Sequence, residues 1–409
     1  MNNVHQYILN SWDKTIRDPN NKEDSKLSNV KLPNKYTTPC IDEIFKNFYY
    51  WDTYFTNLGL LADDRIEDAR NNLKIMDFFV RIYGFVPNAD HLIFGSQPPL
   101  FTRGVYDLYK KSNDKNDILL FIDSLIREQQ FWEYDRSTPT GLSQFKCGWT
   151  NIACKNSYNY FANRVGGLND IEKQIPIVEM GKHFYAFGES GWDMNLRFRT
   201  PKNRFAALEF NNIDLNSILF DAEMKISEML SIIGRDTESN EFLSKANKRK
   251  ELMNKYMRDP ETGILLDYNF VSNTLSSVES AASFCPFAFG ISNDKNACLK
   301  LFNKLDNEYG LSCAPYHGEE AYMQWDYPHM WASNAYFAFV ALEKLGLTKE
   351  AELLKKQYME VVAKNYQETH KLWEKYNTIT GSVSKSEEYE TPAMMGWTAG
   401  VFEYFYHHN

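Results

Sequence analysis

Three tryptophan–aspartate pairs punctuate this chain: Trp51-Asp52 within Tyr49-Tyr50-Trp51-Asp52-Thr53-Tyr54, Trp192-Asp193 within Glu189-Ser190-Gly191-Trp192-Asp193, and Trp325-Asp326 within Gln324-Trp325-Asp326-Tyr327-Pro328. An indole covers the apolar C–H face of a pyranose. A carboxylate beside it accepts hydrogen bonds from the hydroxyls or moves a proton. One such pair is ordinarily core plus helix cap. Three, each expected in a polar loop between helical segments, point to a sugar site.

Gly191 permits a tight turn before Trp192, whose indole gives Asp193 an apolar neighbour. Such a neighbour raises a carboxyl pKa toward the range a general acid needs. The same residues also read as a helix-capping aspartate with Arg197 as its i+4 partner. Glu387-Glu388-Tyr389-Glu390-Thr391-Pro392, ahead of Gly396-Trp397, offers a second carboxylate from Glu388 or its neighbour Glu387, or else a solvated acidic loop. Glycoside hydrolysis uses two carboxyl groups flanking the scissile bond. Asp193 and Glu388 lie far apart in sequence, so only a closed fold unites them. Asn88 and Gln97, in the Pro-punctuated stretches Val86-Pro87-Asn88-Ala89 and Gly95-Ser96-Gln97-Pro98-Pro99, carry amides that both donate and accept, or simply build turns. The histidines are scattered, and there is no zinc or calcium spacing, phosphate loop, dinucleotide fingerprint or nucleophile elbow. No metal and no cofactor are expected.

Helices must position these groups. Leu215, Ile218, Leu219, Ala222, Ile226, Met229, Leu230 and Ile233 form one apolar face, closed by Gly234. Ile66, Ala69, Leu73, Met76, Phe79, Val80 and Tyr83 repeat the pattern up to Gly84. Strand-like alternation is scarce, so the chain reads as all-α. Helix-to-helix turns recur at a spacing of about 56 residues, with one interval of roughly twice that, between Asn113 and Gly234, expected to hide a further hairpin. Six hairpins fit an (α/α)6 toroid; an open solenoid or two packed bundles would satisfy the same periodicity. Residues 35–409 read as a single catalytic domain and 1–34 as an N-terminal extension packed on or near it. The long connections, at 35–55, 85–100, 134–200, 258–280, 308–330 and 375–397, hold nearly every motif and would emerge on one face of a closed ring.

Composition narrows the function further. The 409 residues carry a net charge of −9 without a block of like charge, which disfavours nucleic acid and anionic membrane as partners. No apolar stretch approaches a membrane span and the first residues lack a signal-like apolar region. Six cysteines without C-x-x-C spacing suit a reduced, cytoplasmic setting. Aromatic residues reach an unusual 15%; most of them read as an aromatic core, and a minority at a carbohydrate site is compatible with the excess.

With these residues in view, the chain resembles the trehalase family of glycoside hydrolases. Phe45, Tyr49, Trp51, Asp52 and Tyr54 match that family's first signature. Pro87-Asn88 and Ser96-Gln97-Pro98-Pro99 match its amide loop, and Ser190-Gly191-Trp192-Asp193 with Arg197 its acid motif. Gln324-Trp325-Asp326, Pro328 and Trp331 match the second signature. Glu374-Lys375-Tyr376 follows, and then Glu388, eight residues before Gly396-Trp397. The resemblance implies an (α/α)6 barrel and an inverting mechanism without cofactor, with Asp193 as acid and Glu388 as base. It implies a sugar pocket formed by Phe45, Trp51, Asp52, Asn88, Gln97, Arg164, Trp192, Arg197, Gln324, Trp325, Asp326 and Trp397. Departures bear on substrate: family arginines are replaced by Ile44 and Gly95, a signature glutamate by Asn47, and the glycine-rich lid by Ser382-Val383-Ser384-Lys385-Ser386. The expected function is exo-acting hydrolysis of α,α-trehalose or another small α-glucoside. The alternatives are an α-mannoside or glucosyl conjugate as substrate, a sugar-binding relative without catalysis, and an epimerase of the same fold.

Overall fold

The computed structural model describes residues 1–408 other than 29, 42–43, 94, 147–149, 164–167, 201–203, 319–322 and 386–389. Helices dominate it. In chain order they are α1 (Asn2–Leu9), α2 (Trp12–Thr15), α3 (Tyr50–Ala62), α4 (Ile66–Tyr83), α5 (Phe101–Ser112), α6 (Lys115–Tyr134), α7 (Asn151–Phe161) and α8 (Ile177–Ser190). The second half contributes α9 (Ile213–Ile232), α10 (Asp236–Tyr256), α11 (Cys285–Phe289), α12 (Lys295–Leu305), α13 (Ala332–Lys344), α14 (Thr348–Thr369) and α15 (Gly396–His407). The strands are two or three residues long. Of the described residues, no helix is long and apolar enough to cross a membrane.

Two kinds of helix alternate, and their sequences say which is which. α3 buries every residue from Tyr50 to Leu61, and α9 is buried on all sides over its first three turns. Helices apolar all round belong inside. α10 buries only Phe242, Ala246 and Met253, and α4 buries one stripe that includes Ala69, Leu73, Met76, Phe79 and Val80. α3, α5, α9, α11, α13 and α15 contact one another in succession, and α15 lies against α3. The ring is therefore closed, as an (α/α)6 barrel. Its closing seam is made of glycine. A Cβ on Gly59 would sit 2.7 Å from Gly400 Cα, and one on Gly400 would sit 1.8 Å from the Phe55 carbonyl oxygen.

The double-length interval does hold a hairpin, α7–α8, but it is not a ring unit. The two helices pack on each other over a second hydrophobic cluster that includes Phe145, Phe184, Phe187, Phe198 and Phe205. Among the described residues α7 packs chiefly on α8, and neither helix packs closely on an inner helix of the ring. The approach of α7 to α8 is so tight that a Cβ on Gly181 would meet the Cys154 carbonyl oxygen at 1.9 Å. The outer partner of α15 comes instead from the front of the chain. α1 packs on α15, and Val4, Ile8 and Trp12 join the main core.

Candidate active site

Gly191 caps α8 with φ 69°, and a Cβ there would lie 3.0 Å from the Trp51 indole. Glycine thus satisfies both the left-handed turn and the close approach. Trp51 and Asp52 occupy the first turn of α3, not a loop, and Trp397 the first turn of α15. Trp331 caps α13 at the end of the short strand His329–Trp331, which pairs with Lys375–Asn377. The indoles meet as one layer: Trp325 stacks on Trp331 at 4.0 Å and 4°, with Trp192 at 5.1 Å and Trp51 at 5.6 Å. Trp331 and Trp397 close it edge to face at 5.2 Å. Trp51, Trp192, Trp325 and Trp397 are each 2–4% exposed, so these indoles chiefly cover one another and little is left to lie against a sugar. On the barrel axis, Trp51, Pro98, Trp192, Asp214 and Asn334 surround a void of only about 10 Å³, room for one water at most. That void is too small for a sugar, which must bind outside it.

Carboxyl groups gather at this layer. Burial, followed by repulsion from Glu374, pushes the Asp193 carboxyl up to about 7. Burial, then Glu374, with Asp193 as a weaker cause, pushes Asp52 up to about 8. Burial does the same to Asp326, also to about 8, against the pull of a hydrogen bond from the Leu196 amide at 2.9 Å and of Arg199 and Arg197. Asp193 differs from the other two. It is half-buried, whereas Asp52 and Asp326 are 7% and 2% exposed, and among the described residues its carboxyl makes no hydrogen bond. A half-open carboxyl that keeps its proton near neutrality suits proton donation to a ligand.

The amide-bearing loop is held by Glu189. This buried carboxylate takes a paired contact from Arg136, at 2.9 and 2.6 Å, and accepts from the amides of Ser96 (3.1 Å) and Lys146 (2.6 Å). Gln97 Oε1 accepts from the Trp51 amide at 3.2 Å, and Asn88 Nδ2 donates to the Gly188 carbonyl at 3.1 Å. Both amides therefore tie the loop to α3 and α8. Gln324 is 1% exposed, yet among the described residues neither Nε2 nor Oε1 has a partner. A buried amide left unpaired costs about 1–3 kcal/mol, which a binding site recovers when a ligand arrives.

Trp51, Asp52, Gln97, Trp192, Asp193, Gln324, Trp325, Asp326 and Trp397 thus belong to one neighbourhood. Phe45 sits edge to face with Tyr49 at 5.4 Å, just ahead of α3. Arg197, implied as a sugar contact, is held by two carboxylates. It is 1% exposed and clamps Asp214 through two bonds of 2.9 Å and Asp267 through two of 2.8 Å. Two buried carboxylates need that cation. Its guanidinium also backs the Trp192 ring at 4.6 Å, so it supports the layer. Arg164, Glu387 and Glu388 lie outside the described residues. The chain on either side of Glu388 is anchored: the Ser384 amide donates to the Lys375 carbonyl at 3.1 Å, and Thr391 Oγ1 donates to the Ser384 carbonyl at 2.5 Å. Sequence reading left Glu374 and Glu189 out of the site. Glu374, bonded to Lys375 at 2.6 Å, was visible in the Glu374-Lys375-Tyr376 motif; Glu189 begins the acid motif itself.

A closed helical barrel with acidic groups over a tryptophan layer at the inner-helix N-termini defines a class, the helical-barrel glycoside hydrolases. Within it, this chain belongs to the trehalase family, whose model matches residues 1–408. Its structure is similar to neutral trehalase Nth1 from Saccharomyces cerevisiae, with TM-score 0.73 and 23% identity, over 92% of this chain and 74% of that one. It is also similar to the GH63 mannosylglycerate hydrolase from Thermus thermophilus in complex with Tris and D-glycerate, with TM-score 0.68 and 16% identity, over 98% of this chain and 100% of that one. A GH78 rhamnosidase of a Bacillus species shares the fold more loosely, with TM-score 0.54 and 11% identity over 87% of this chain and 31% of that one. The protein is a glycoside hydrolase.

Proposed function

We propose that this chain is an inverting, exo-acting α-glycosidase in which Asp193 protonates the glycosidic oxygen and Glu388 takes the proton from the attacking water. The observation that carries this reading is the state of Asp193: half-open, free of hydrogen bonds among the described residues, and holding its proton to about 7. An inverting pair stands about 6.5–9.5 Å apart to admit the water. Ser384 and Thr391, which flank Glu388 in the sequence, are bonded to each other, and Ser384 also to the strand that follows Glu374, which favours this assignment. Gln324, with both amide atoms unpaired among the described residues, would hold sugar hydroxyls together with Asp52 and Asp326.

For the substrate, family membership favours α,α-trehalose. A second reading, a mannoside or glucosyl conjugate of a small polar aglycone, is favoured by the pocket itself. Ile44 is 61% exposed, and Asn47 is bonded to the Leu27 carbonyl and to Asp90. Charged residues that would grip a second sugar are thus missing at these positions. Similarity to a mannosylglycerate hydrolase over its full length points the same way. Proton NMR of the reaction with trehalose and a panel of α-glucosides and α-mannosides tests both readings. The β-anomer should be released first from one of them. From trehalose, inversion gives one β-glucose from the attacked unit and one α-glucose from the leaving unit; initial release of the α-anomer alone would reject inversion, and no hydrolysis of any panel member would reject the proposal.

A further inference from the structure

A second cluster of titratable groups lies at the opposite ends of α3 and α15. α3 begins at the tryptophan layer and ends at Asp63; α15 begins there and ends with Glu403 and His407 on its last two turns. With a rise of 1.5 Å per residue, Asp63 lies about 16 Å from Asp52. α1 brings His5 to the same place. His5 Nδ1 is 2.7 Å from Glu403 Oε2, His407 Nε2 is 3.2 Å from Asp63 Oδ1, and His407 Nε2 is 3.6 Å from Glu403 Oε2. One donor atom from each of the four residues falls within 4.8 Å of all the others.

The cluster is built, not merely crowded. Trp12 Nε1 donates to Asp63 Oδ2 at 2.7 Å, which fixes that carboxylate and leaves Oδ1 for the cluster. His5 stacks on Tyr406 at 4.3 Å and 14°. Partners of this kind orient ligand side chains around a metal. The Glu403 side chain is fully buried, and its Oε1 accepts no hydrogen bond among the described residues. Asp63 and Glu403 thus set two carboxyls against each other beside the two imidazoles, and such a pair repels when ionised. A divalent cation would discharge that repulsion and use the unpaired oxygen.

We propose that His5, Asp63, Glu403 and His407 bind one divalent transition-metal cation of the zinc type, as a structural site that fastens the N-terminal helix to the closing seam of the barrel. Two imidazoles and two carboxylates suit zinc, cobalt or nickel, whereas calcium and magnesium prefer oxygen alone. A tetrahedral ion with bonds of about 2.0–2.2 Å requires the donors to draw together slightly. His407, with a side chain 43% exposed at the end of α15, is free to make that adjustment. The ion would join positions 5 and 407, nearly the whole chain apart, where a cross-link restricts the unfolded chain most.

The test uses full-length protein stripped with a chelator. Zn2+ should bind at one equivalent by calorimetry, Co2+ should give the visible absorption of a four-coordinate site, and saturating Zn2+ should raise the thermal midpoint by several degrees. His407→Gln and His5→Gln should each weaken Zn2+ binding by about 100-fold and abolish the thermal shift. The hydrolase activity of His407→Gln should stay at the level of the stripped parent. Absence of stoichiometric Zn2+ and Co2+ binding by the parent would overturn the proposal, as would unchanged binding in both variants.

Discussion

Ring closure at the α3–α15 seam makes a quantitative demand on Gly400. An added Cβ would lie 1.8 Å from the Phe55 carbonyl oxygen, 2.7 Å from the Phe55 carbonyl carbon and 3.1 Å from Thr56 Cα. All three are backbone atoms, so no side chain can rotate away. Since real contacts of this kind stop near 3 Å, Gly400→Ala must push the helices apart by more than about 1 Å in an interior packed like a crystal. Overpacking costs roughly 1–3 kcal/mol and more where backbone must move. Alanine's better helix propensity returns about 1 kcal/mol. The steric cost wins, and a net loss of about 2 kcal/mol or more is expected. Activity should fall further than stability, because the same helices carry Trp51 and Asp52 on one side and Trp397 on the other. A displacement of about 1 Å can cost 100-fold in turnover. Urea denaturation and kcat measure the two effects. Gly234→Ala is the control: its φ is 78° but nothing lies within 4 Å of the added Cβ, so it carries only the conformational cost, about 1–2 kcal/mol. If Gly400→Ala is within about 0.5 kcal/mol of the parent, the seam is not packed as described.

Further expectations concern the charged groups. Arg197→Met leaves Asp214 and Asp267 buried without their cation and should lose about 3–5 kcal/mol, read by chemical denaturation; a variant of parental stability with only a raised KM would restore Arg197 to the sugar pocket. If Asp193 is the acid, as proposed, it acts in its protonated form, and with its carboxyl pushed up to about 7, kcat/KM should fall as pH rises through that value. Glu374→Gln removes the second cause of the raised Asp193 value, and should move this limb to lower pH; an unmoved limb would detach Glu374 from the acid. Asp52, Asp193 and Asp326 all titrate higher folded than the usual carboxylate value of 3.8, so the folded state binds more protons between about pH 4 and 8 and its stability declines as pH rises through that window. Asp193→Asn should therefore be more stable than the parent at pH 8 by about 0.5–2 kcal/mol, with the difference vanishing near pH 4, as thermal melts at the two pH values will show.

Much of the barrel was legible because its helices differ in kind. The stripe from Ala69 to Val80 and the Gly84 cap are local signals, and they predict α4 directly. The sixth ring position was not legible, since α15 takes its outer partner from α1 at the other end of the chain and no local pattern announces that pairing. The long interval misled for the opposite reason: α7–α8 has helical periodicity, but the two helices pack on each other and on a second cluster instead of on the ring. At the site, motif order picked out the residues that gather, yet residue type alone could not separate ligand from scaffold. An arginine four residues after Asp193 reads as a sugar contact until Asp214 and Asp267 are found on either side of it. Likewise His5, Asp63, Glu403 and His407 share no spacing, and only helix ends bring them together.

The central claim, that Asp193 supplies the proton to the leaving group and Glu388 activates water, is tested most directly by comparing two leaving groups. An α-glycosyl fluoride needs no protonation to depart, whereas an ordinary disaccharide does. Asp193→Asn should lose at least about 1,000-fold in kcat on the disaccharide but keep fluoride hydrolysis within about tenfold, while Glu388→Gln should lose both. Hydrolysis of the disaccharide by Asp193→Asn at near-parental rate, or undiminished fluoride hydrolysis by Glu388→Gln, would contradict the assignment.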